Sequence, residues 1–223
     1  MQTRKHTAWK KNRRFGDIKG GRLRVKCKDG IFNRYHSFLK PSKGVETPVF
    51  MVENPSKDFY FPITPDDIKE VLKKLPNEHT RSLSYIWLRK IKKRDYLNDP
   101  LQGSFIVGSG VHLIILYPFP IDNRMIFGKV KPLQKKVNYY KNYTTELQQD
   151  DKGYWYLQWA EDEIKKYYLE NLLLYEIGNS IHSYYSIYWS KAADKKKEAF
   201  ADSYAAFWGS AIKNDYREIS EID

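Results

Sequence analysis

The sequence is poor in the features that mark secreted and membrane proteins. Its one cysteine, Cys27, excludes an intrachain disulfide and suits a reducing compartment. Apolar runs are short, and none approaches the roughly 20 residues that a transmembrane helix requires. The basic first residues are not followed by the apolar segment of a secretory signal. These absences predict an intracellular, cytoplasmic protein with no membrane partner.

Acidic residues are scarce in the first part of the chain. Residues 1–44 contain fourteen Lys and Arg but only two acids, Asp17 and Asp29, so their net charge is +12. Residues 45–223 contain 25 residues of each sign, and their formal charge is zero. The whole net charge therefore lies in one segment, and such a confined basic excess indicates an anionic partner there.

We expect this partner to be nucleic acid, either DNA or RNA. Lysine and arginine bind phosphates and release counterions, and the interleaved rings of Trp9 and Phe15 are suited to stacking on unpaired bases. The basic residues predicted to contact nucleic acid are Arg4, Lys5, Lys10, Lys11, Arg13, Arg14, Lys19, Arg22, Arg24, Lys26 and Lys28. An acidic membrane is a weaker candidate, because the apolar residues are too few and irregular for an interfacial helix. The other alternative is a disordered tail that only increases solubility.

The pattern along the chain predicts an α+β protein in two parts, a basic arm and hairpin over residues 1–44 and a larger domain over residues 45–223. Apolar alternation around a turn at Asp29 and Gly30 predicts a β-hairpin. Thr64 and Pro65 predict the start of a helix that ends at Pro76. Strands are predicted over residues 47–52, 58–61, 83–91, 102–107, 111–117 and 125–130. Residues 131–152 read as a polar loop with at most a short helix, and residues 154–159 as a short edge strand.

Two long helices are predicted towards the end of the chain, over residues 160–188 and 194–213, from apolar side chains at steps of three and four. The predicted buried stripe of the first is Leu169, Leu173, Ile177, Ile181, Tyr184 and Tyr188. That of the second is Phe200, Tyr204, Phe207 and Ala211. Gly178 costs the first helix about 1 kcal/mol relative to alanine, so we expect a tight contact with a neighbouring strand there.

The first of these helices has the spacing of a zinc site without its ligands. Residues four apart share a helix face, so histidines at positions 175 and 179 would hold one Zn²⁺, with Glu176 as general base. The chain has Tyr175 and Asn179 at those positions. A phenol with a pKa near ~10 does not readily bind a metal at neutral pH, and an amide oxygen suits Ca²⁺ or Mg²⁺ better than Zn²⁺. We therefore expect no bound zinc and no catalysis.

This region resembles the compact His-Glu-x-x-His zincins, especially the ImmA/IrrE-type metallopeptidases. Those enzymes have a Leu-x-His-Glu-x-Gly-His helix and a later Glu-x-x-Ala-Asp/Asn-x-Phe-Ala block, and the similarity covers roughly residues 160–212. The matching residues are Leu173, Glu176, Gly178, Glu198, Ala201, Asp202 and Ala205, with Tyr204 in place of phenylalanine. The resemblance implies a minimal zincin-like domain, in which a mixed sheet packs against the signature helix and a C-terminal helix. Glu198 would occupy the third-ligand position.

Four polar residues of this region have more than one interpretation. His182 shares the face of the two changed ligand positions and would form another metal site with Glu198 and Asp202, displaced by about one turn or ~5 Å. Otherwise it is a hydrogen-bonded histidine beneath a tyrosine cluster. Glu198 and Asp202 repel each other unless a metal or a basic residue neutralises them, or both are exposed. Glu176 is a relic of the general base or part of a solvated polar stripe.

These patterns predict a non-catalytic binding or scaffold component of an intracellular nucleoprotein assembly. The arm would bind nucleic acid, and the inactive metallopeptidase-like domain would bind protein partners without a cofactor. The first alternative is an atypical metal-dependent hydrolase or peptidase that uses His182, Glu198 and Asp202 as zinc ligands. The second is a transcriptional regulator, which rests on the family resemblance alone.

Overall fold

A computed structural model describes residues 24–28, 35–98, 101–144, 146–185 and 191–220 of the chain, which contain both strands and helices. In chain order the strands are β1 (Arg24–Lys28), β2 (Tyr35–Leu39), β3 (Val49–Val52), β4 (Phe59–Tyr60), β5 (Tyr85–Leu88), β6 (Gly103–Gly108), β7 (Val111–Leu116), β8 (Phe119–Pro120), β9 (Arg124–Gly128), β10 (Leu147–Gln149) and β11 (Trp155–Gln158). The helices are α1 (Pro65–Lys74), α2 (Asn77–Thr80), α3 (Lys93–Asn98), α4 (Gln134–Asn138), α5 (Glu161–Tyr167), α6 (Leu173–Tyr185) and α7 (Lys191–Ser220), with a π-helix (Tyr168–Leu172) between α5 and α6. The α+β class expected from the sequence is confirmed. Within the described ranges, no helix has both the length and the apolar character of a membrane span.

A four-stranded mixed sheet in the order β3-β5-β7-β6 forms the centre of the fold. β3, β5 and β7 are parallel, whereas β6 is antiparallel to β7. Ser109 and Gly110 turn the chain between β6 and β7 with positive φ angles of 52° and 71°. All residues of β7 are buried, because both faces of the sheet are covered. This explains the continuous apolar run that the sequence shows there.

Helices cover one face of this sheet. Ile86 and Ile114 of the sheet belong to the same buried cluster as Ile68 of α1 and side chains of α5, α6 and α7. The predicted start of α1 is confirmed by a reciprocal cap: Thr64 N donates to the Asp67 carboxylate at 2.8 Å, and Asp67 N donates to the Thr64 hydroxyl at 3.2 Å. The helical layer places α6, which contains the candidate site, directly against the sheet.

The two predicted strands of the hairpin are present as β1 and β2 and pack against the other face of the sheet, whereas the turn predicted at Asp29 and Gly30 lies outside the described residues. The two strands are antiparallel, and Cys27 pairs with His36 in their register. Cys27 and Phe38 share a buried cluster with Trp87 of β5 and Ile115 of β7. The end of the basic segment is therefore part of the same packed structure as the central sheet.

A smaller antiparallel sheet has the strand order β10-β11-β9. β11 is its central strand, so the edge position expected for residues 154–159 is wrong. The polar stretch expected to be mainly a loop contains both α4 and β10. Tyr140 connects this region to the core, since its ring lies 5.8 Å from that of Trp159 and 5.7 Å from that of Tyr167. Contacts between chain-distant aromatic rings therefore order a segment whose local sequence is polar.

Both predicted C-terminal helices exist, but their buried faces differ from the expectation. Phe200 and Phe207 are 40% and 67% exposed, and Tyr184 is 52% exposed, so their assignment to the core is wrong. Tyr188 lies outside the described residues. Tyr204 is buried as predicted, and α7 also buries Ala201, Ala205 and Ile212. The small side chains of Ala201 and Ala205 determine which face of α7 is buried, because they allow α7 to approach α6 more closely than phenylalanine would.

The closest approach of the two helices is at Gly178. A Cβ atom there would lie 2.9 Å from the Ala201 Cα and 3.2 Å from the Tyr204 Cβ. The expected tight contact is therefore present, but its partner is helix α7 and not a strand. The crossing brings the signature helix and the Glu198–Asp202 region together.

Candidate functional site

Three side chains of α6 form a hydrogen-bonded group beside the edge strand β6. Asn179 Nδ2 donates to Glu176 Oε2 at 3.1 Å, and Asn179 also forms a side-chain hydrogen bond with Tyr175. Glu176 is only 4% exposed, so its assignment to a solvated stripe is wrong. A Cβ atom on Gly103 of β6 would lie 3.1 Å from Glu176 Oε1. The strand thus covers the carboxyl group.

This enclosure changes the acidity of the carboxyl group. Burial raises the pKa of Glu176 from an ordinary value of 4.5 to about 7, against smaller opposing effects of the Asn179 hydrogen bond and the Lys197 charge. Lys197 lies on α7, with its Nζ 5.0 Å from the ring of Phe105 on β6. At neutral pH the protonated and ionised forms of Glu176 are therefore both populated.

Helix α7 adds the two acids that the resemblance places near Glu176. Burial raises the pKa of Tyr175, and the charges of Asp202, Glu176 and Glu198 raise it further, so these side chains lie within electrostatic range of one another. Glu198 and Asp202 are both exposed, which was one of the expected solutions to their repulsion. Partial desolvation and Glu198 raise the pKa of Asp202, whereas the Lys135 charge lowers it.

Tyr139 belongs to the same region but was not found from the sequence. Burial raises its pKa, with further contributions from Asp202, Tyr140 and Tyr175, and its hydroxyl donates to Asn171 Oδ1 at 2.8 Å. It precedes the site by a long stretch of chain, and no local pattern distinguishes it among the eighteen tyrosines. We call the group formed by Tyr139, Tyr175, Glu176, Asn179, Glu198 and Asp202 the Glu176 cluster.

The donor set of the Glu176 cluster does not fit zinc. Asn179 and Tyr175 are hydrogen-bonded to each other where imidazoles would be required. His182 lies one turn further along α6, and its ring centroid is 5.8 Å from that of Phe200. Among the described residues, no three His, Cys, Asp or Glu side chains are grouped as metal ligands, and this includes His182, Glu198 and Asp202.

Most of the predicted nucleic-acid contacts lie outside the described residues. These are Arg4, Lys5, Trp9, Lys10, Lys11, Arg13, Arg14, Phe15, Lys19 and Arg22. Arg24, Lys26 and Lys28 lie on β1, which packs on the sheet as described above.

A second basic segment, residues 89–94, was missed by the sequence analysis. It contains Arg89, Lys90, Lys92, Lys93 and Arg94, five basic residues in six positions. It follows the carboxyl end of β5, and Lys92, Lys93 and Arg94 are exposed there. Asp58 forms an ion pair with Lys93 at 3.3 Å. The signal was present in the sequence, but the neutral total of residues 45–223 concealed it.

Comparison with protein-family models, curated proteins and solved structures gives no match to this chain. The resemblance to zincins therefore rests on the sequence of this region alone.

Proposed function

We propose that this protein is a non-catalytic binding component of a nucleoprotein assembly, built on an inactive metallopeptidase-like fold. The hydrogen bond from Asn179 to the buried Glu176 carboxyl carries the proposal. A general base in a metallopeptidase must reach a metal-bound water. Here the amide at one former ligand position binds the carboxyl, and strand β6 covers it.

The docking role of this domain is supported by what surrounds the buried carboxyl. The outer part of the Glu176 cluster consists of the hydroxyl groups of Tyr139 and Tyr175 and the carboxylates of the exposed acids Glu198 and Asp202. Such groups bind a protein partner through hydrogen bonds and complementary charge without any chemical step. The domain would therefore act as a scaffold.

The nucleic-acid role is supported by two separate concentrations of positive charge. Residues 1–44 have a net charge of +12, and residues 89–94 add exposed lysine and arginine on the folded part of the chain. Phosphate contacts by such residues supply most of the sequence-independent affinity for nucleic acid. The two segments would bind the same strand together or act independently.

Metal analysis tests the inactive-site part of the proposal. Protein purified without chelator should contain far less than one zinc per chain. If the zincin-like arrangement holds, the double variant Tyr175→His, Asn179→His should bind one zinc with Glu198, whose charge acts on Tyr175, as third ligand, and adding Glu198→Ala should weaken that binding. One tightly bound zinc in the unmodified protein, lost in His182→Ala, would instead support a metal-dependent hydrolase.

A further inference from the structure

A concave site, independent of the proposed function, lies at the amino ends of the parallel strands. Its volume is about 410 Å³, which is within the range of small-molecule pockets. It is lined by Thr47, Ser84 and Gly110, which lie within two residues of the starts of β3, β5 and β7 respectively. Tyr184, near the end of α6, closes one side. We call this site the strand-end pocket.

A buried hydrogen-bond network fixes the floor of the strand-end pocket. His112 is 6% exposed, and its Nδ1 lies 2.8 Å from the hydroxyl of the fully buried Ser180. Ser180 Oγ is 3.3 Å from Ser82 Oγ, and the His112 backbone N–H donates to Ser84 Oγ at 3.2 Å. Hydroxyls held in this way have fixed positions, so a ligand that accepts their hydrogen bonds meets donors that are already oriented.

Positive charge surrounds these hydroxyl groups. Lys40 and Arg81 line the pocket, and none of the described residues that line it is acidic. The Arg81 guanidinium lies over the Tyr184 ring, 5.5 Å from its centroid, which keeps the cation at the pocket wall. Burial lowers the pKa of His112, and the nearby charge of Lys40 lowers it further.

We propose that the strand-end pocket binds a phosphoryl group, as free phosphate or as part of a small phosphorylated molecule. Arginine and lysine are the residues that bind phosphate oxygens, and the serine hydroxyls supply additional donors. A bound anion would also offset the unfavourable effect of the Lys40 charge on a protonated His112. Binding and protonation of His112 should therefore favour each other.

Calorimetric titration with inorganic phosphate, adenosine 5′-monophosphate and adenosine tests this proposal on the full chain. We expect saturable 1:1 binding of the two phosphorylated probes with a Kd of about 1 mM or tighter, and none of adenosine. Tighter binding of adenosine 5′-monophosphate than of inorganic phosphate would assign the pocket to phosphorylated small molecules. Equal binding of the two probes would assign it to the free anion. Both results support phosphoryl recognition.

Matched variants separate a specific site from general attraction of anions. Arg81→Gln and Lys40→Gln should each weaken phosphate binding about tenfold, a factor typical of losing one charged hydrogen bond. Lys43→Gln removes a neighbouring exposed charge outside the pocket and should have no effect. The His112 ring signals in NMR should report a higher pKa with phosphate bound. Absence of binding, equal affinity in all variants, or an unchanged His112 pKa would overturn the proposal.

Discussion

The side-chain amide of Asn179 donates a 3.1 Å hydrogen bond to the buried carboxyl group of Glu176. In a helix, residues three apart lie on one face, so this contact follows directly from their spacing. Its consequence depends on the rest of the fold, because strand β6 and helix α7 exclude water from the pair. A position that suits a general base thereby becomes an interior polar contact.

The buried carboxyl should make stability depend on pH. Glu176 has a folded-state pKa of about 7 against an ordinary value of 4.5, so the folded protein binds the proton more tightly. The contribution of Glu176 to the free energy of unfolding should therefore be largest below about pH 4.5 and fall by about 3 kcal/mol as pH rises through 7. Urea unfolding across this range should show that this decline is absent in Glu176→Gln.

The control for this measurement is Glu78→Gln, at an exposed position. This variant should retain the decline, because the Glu176 carboxyl is unchanged. An identical pH profile for Glu176→Gln and the unmodified protein would contradict the burial of the carboxyl group.

The crossing of α6 and α7 should not tolerate a larger residue at Gly178. The added Cβ would lie 2.9 Å from the Ala201 Cα, which is backbone and moves only with its helix. The strain outweighs the helix propensity gained, and we expect Gly178→Ala to lose about 1–2 kcal/mol of unfolding free energy. Chemical denaturation measures this loss. Ser203→Ala, at an exposed position of α7, should change stability by much less, and a stabilised Gly178→Ala would contradict the close crossing.

Two apolar residues should differ sharply in their contribution to stability. Ile177 is 0% exposed and faces the sheet, so Ile177→Ala should lower the unfolding free energy by about 2–5 kcal/mol. Phe207 is 67% exposed, and Phe207→Ala should lower it by less than about 1 kcal/mol. Equal losses in thermal or urea unfolding would indicate that α7 buries the phenylalanine face after all.

The elements that the sequence predicted are those that depend on residues close together in the chain. They are the strands of the hairpin, the helix start at Thr64 and the two C-terminal helices. The buried face of α7 was not predictable from apolar periodicity, because the choice between Phe207 and Ala201 depends on how closely Gly178 allows α6 to approach. The burial of Glu176 likewise depends on Gly103, which is distant in the chain. Contacts of this kind leave no periodic pattern.

The sequence pointed to most residues of the candidate site, but not to their burial or to the elements that surround them. The spacing of the signature identified Tyr175, Glu176, Asn179, Glu198 and Asp202 as one group, and the structure places them within electrostatic range. Tyr139 was not predicted, because it lies in a segment that contains no motif.

The aromatic ring in the arm should contribute to single-strand binding. If Trp9 stacks on a base, Trp9→Ala should weaken binding to single-stranded DNA or RNA by about 1–3 kcal/mol. Duplex DNA offers no unstacked base, so its affinity should change much less. Fluorescence anisotropy with matched single-stranded and duplex probes measures both, and equal losses on the two probes would argue against stacking.

Binding to nucleic acid as a function of salt tests the proposed function most directly. Six to ten phosphate contacts imply a loss of roughly 10³–10⁵ in affinity for duplex DNA between 50 and 200 mM salt. Deletion of residues 1–20, which removes seven Lys and Arg, should flatten this dependence strongly. The triple variant Lys92→Gln, Lys93→Gln, Arg94→Gln should flatten the salt dependence less than the deletion does, because it removes fewer phosphate contacts. Salt-independent binding, or no binding to DNA or RNA near physiological ionic strength, would contradict a nucleic-acid-binding function.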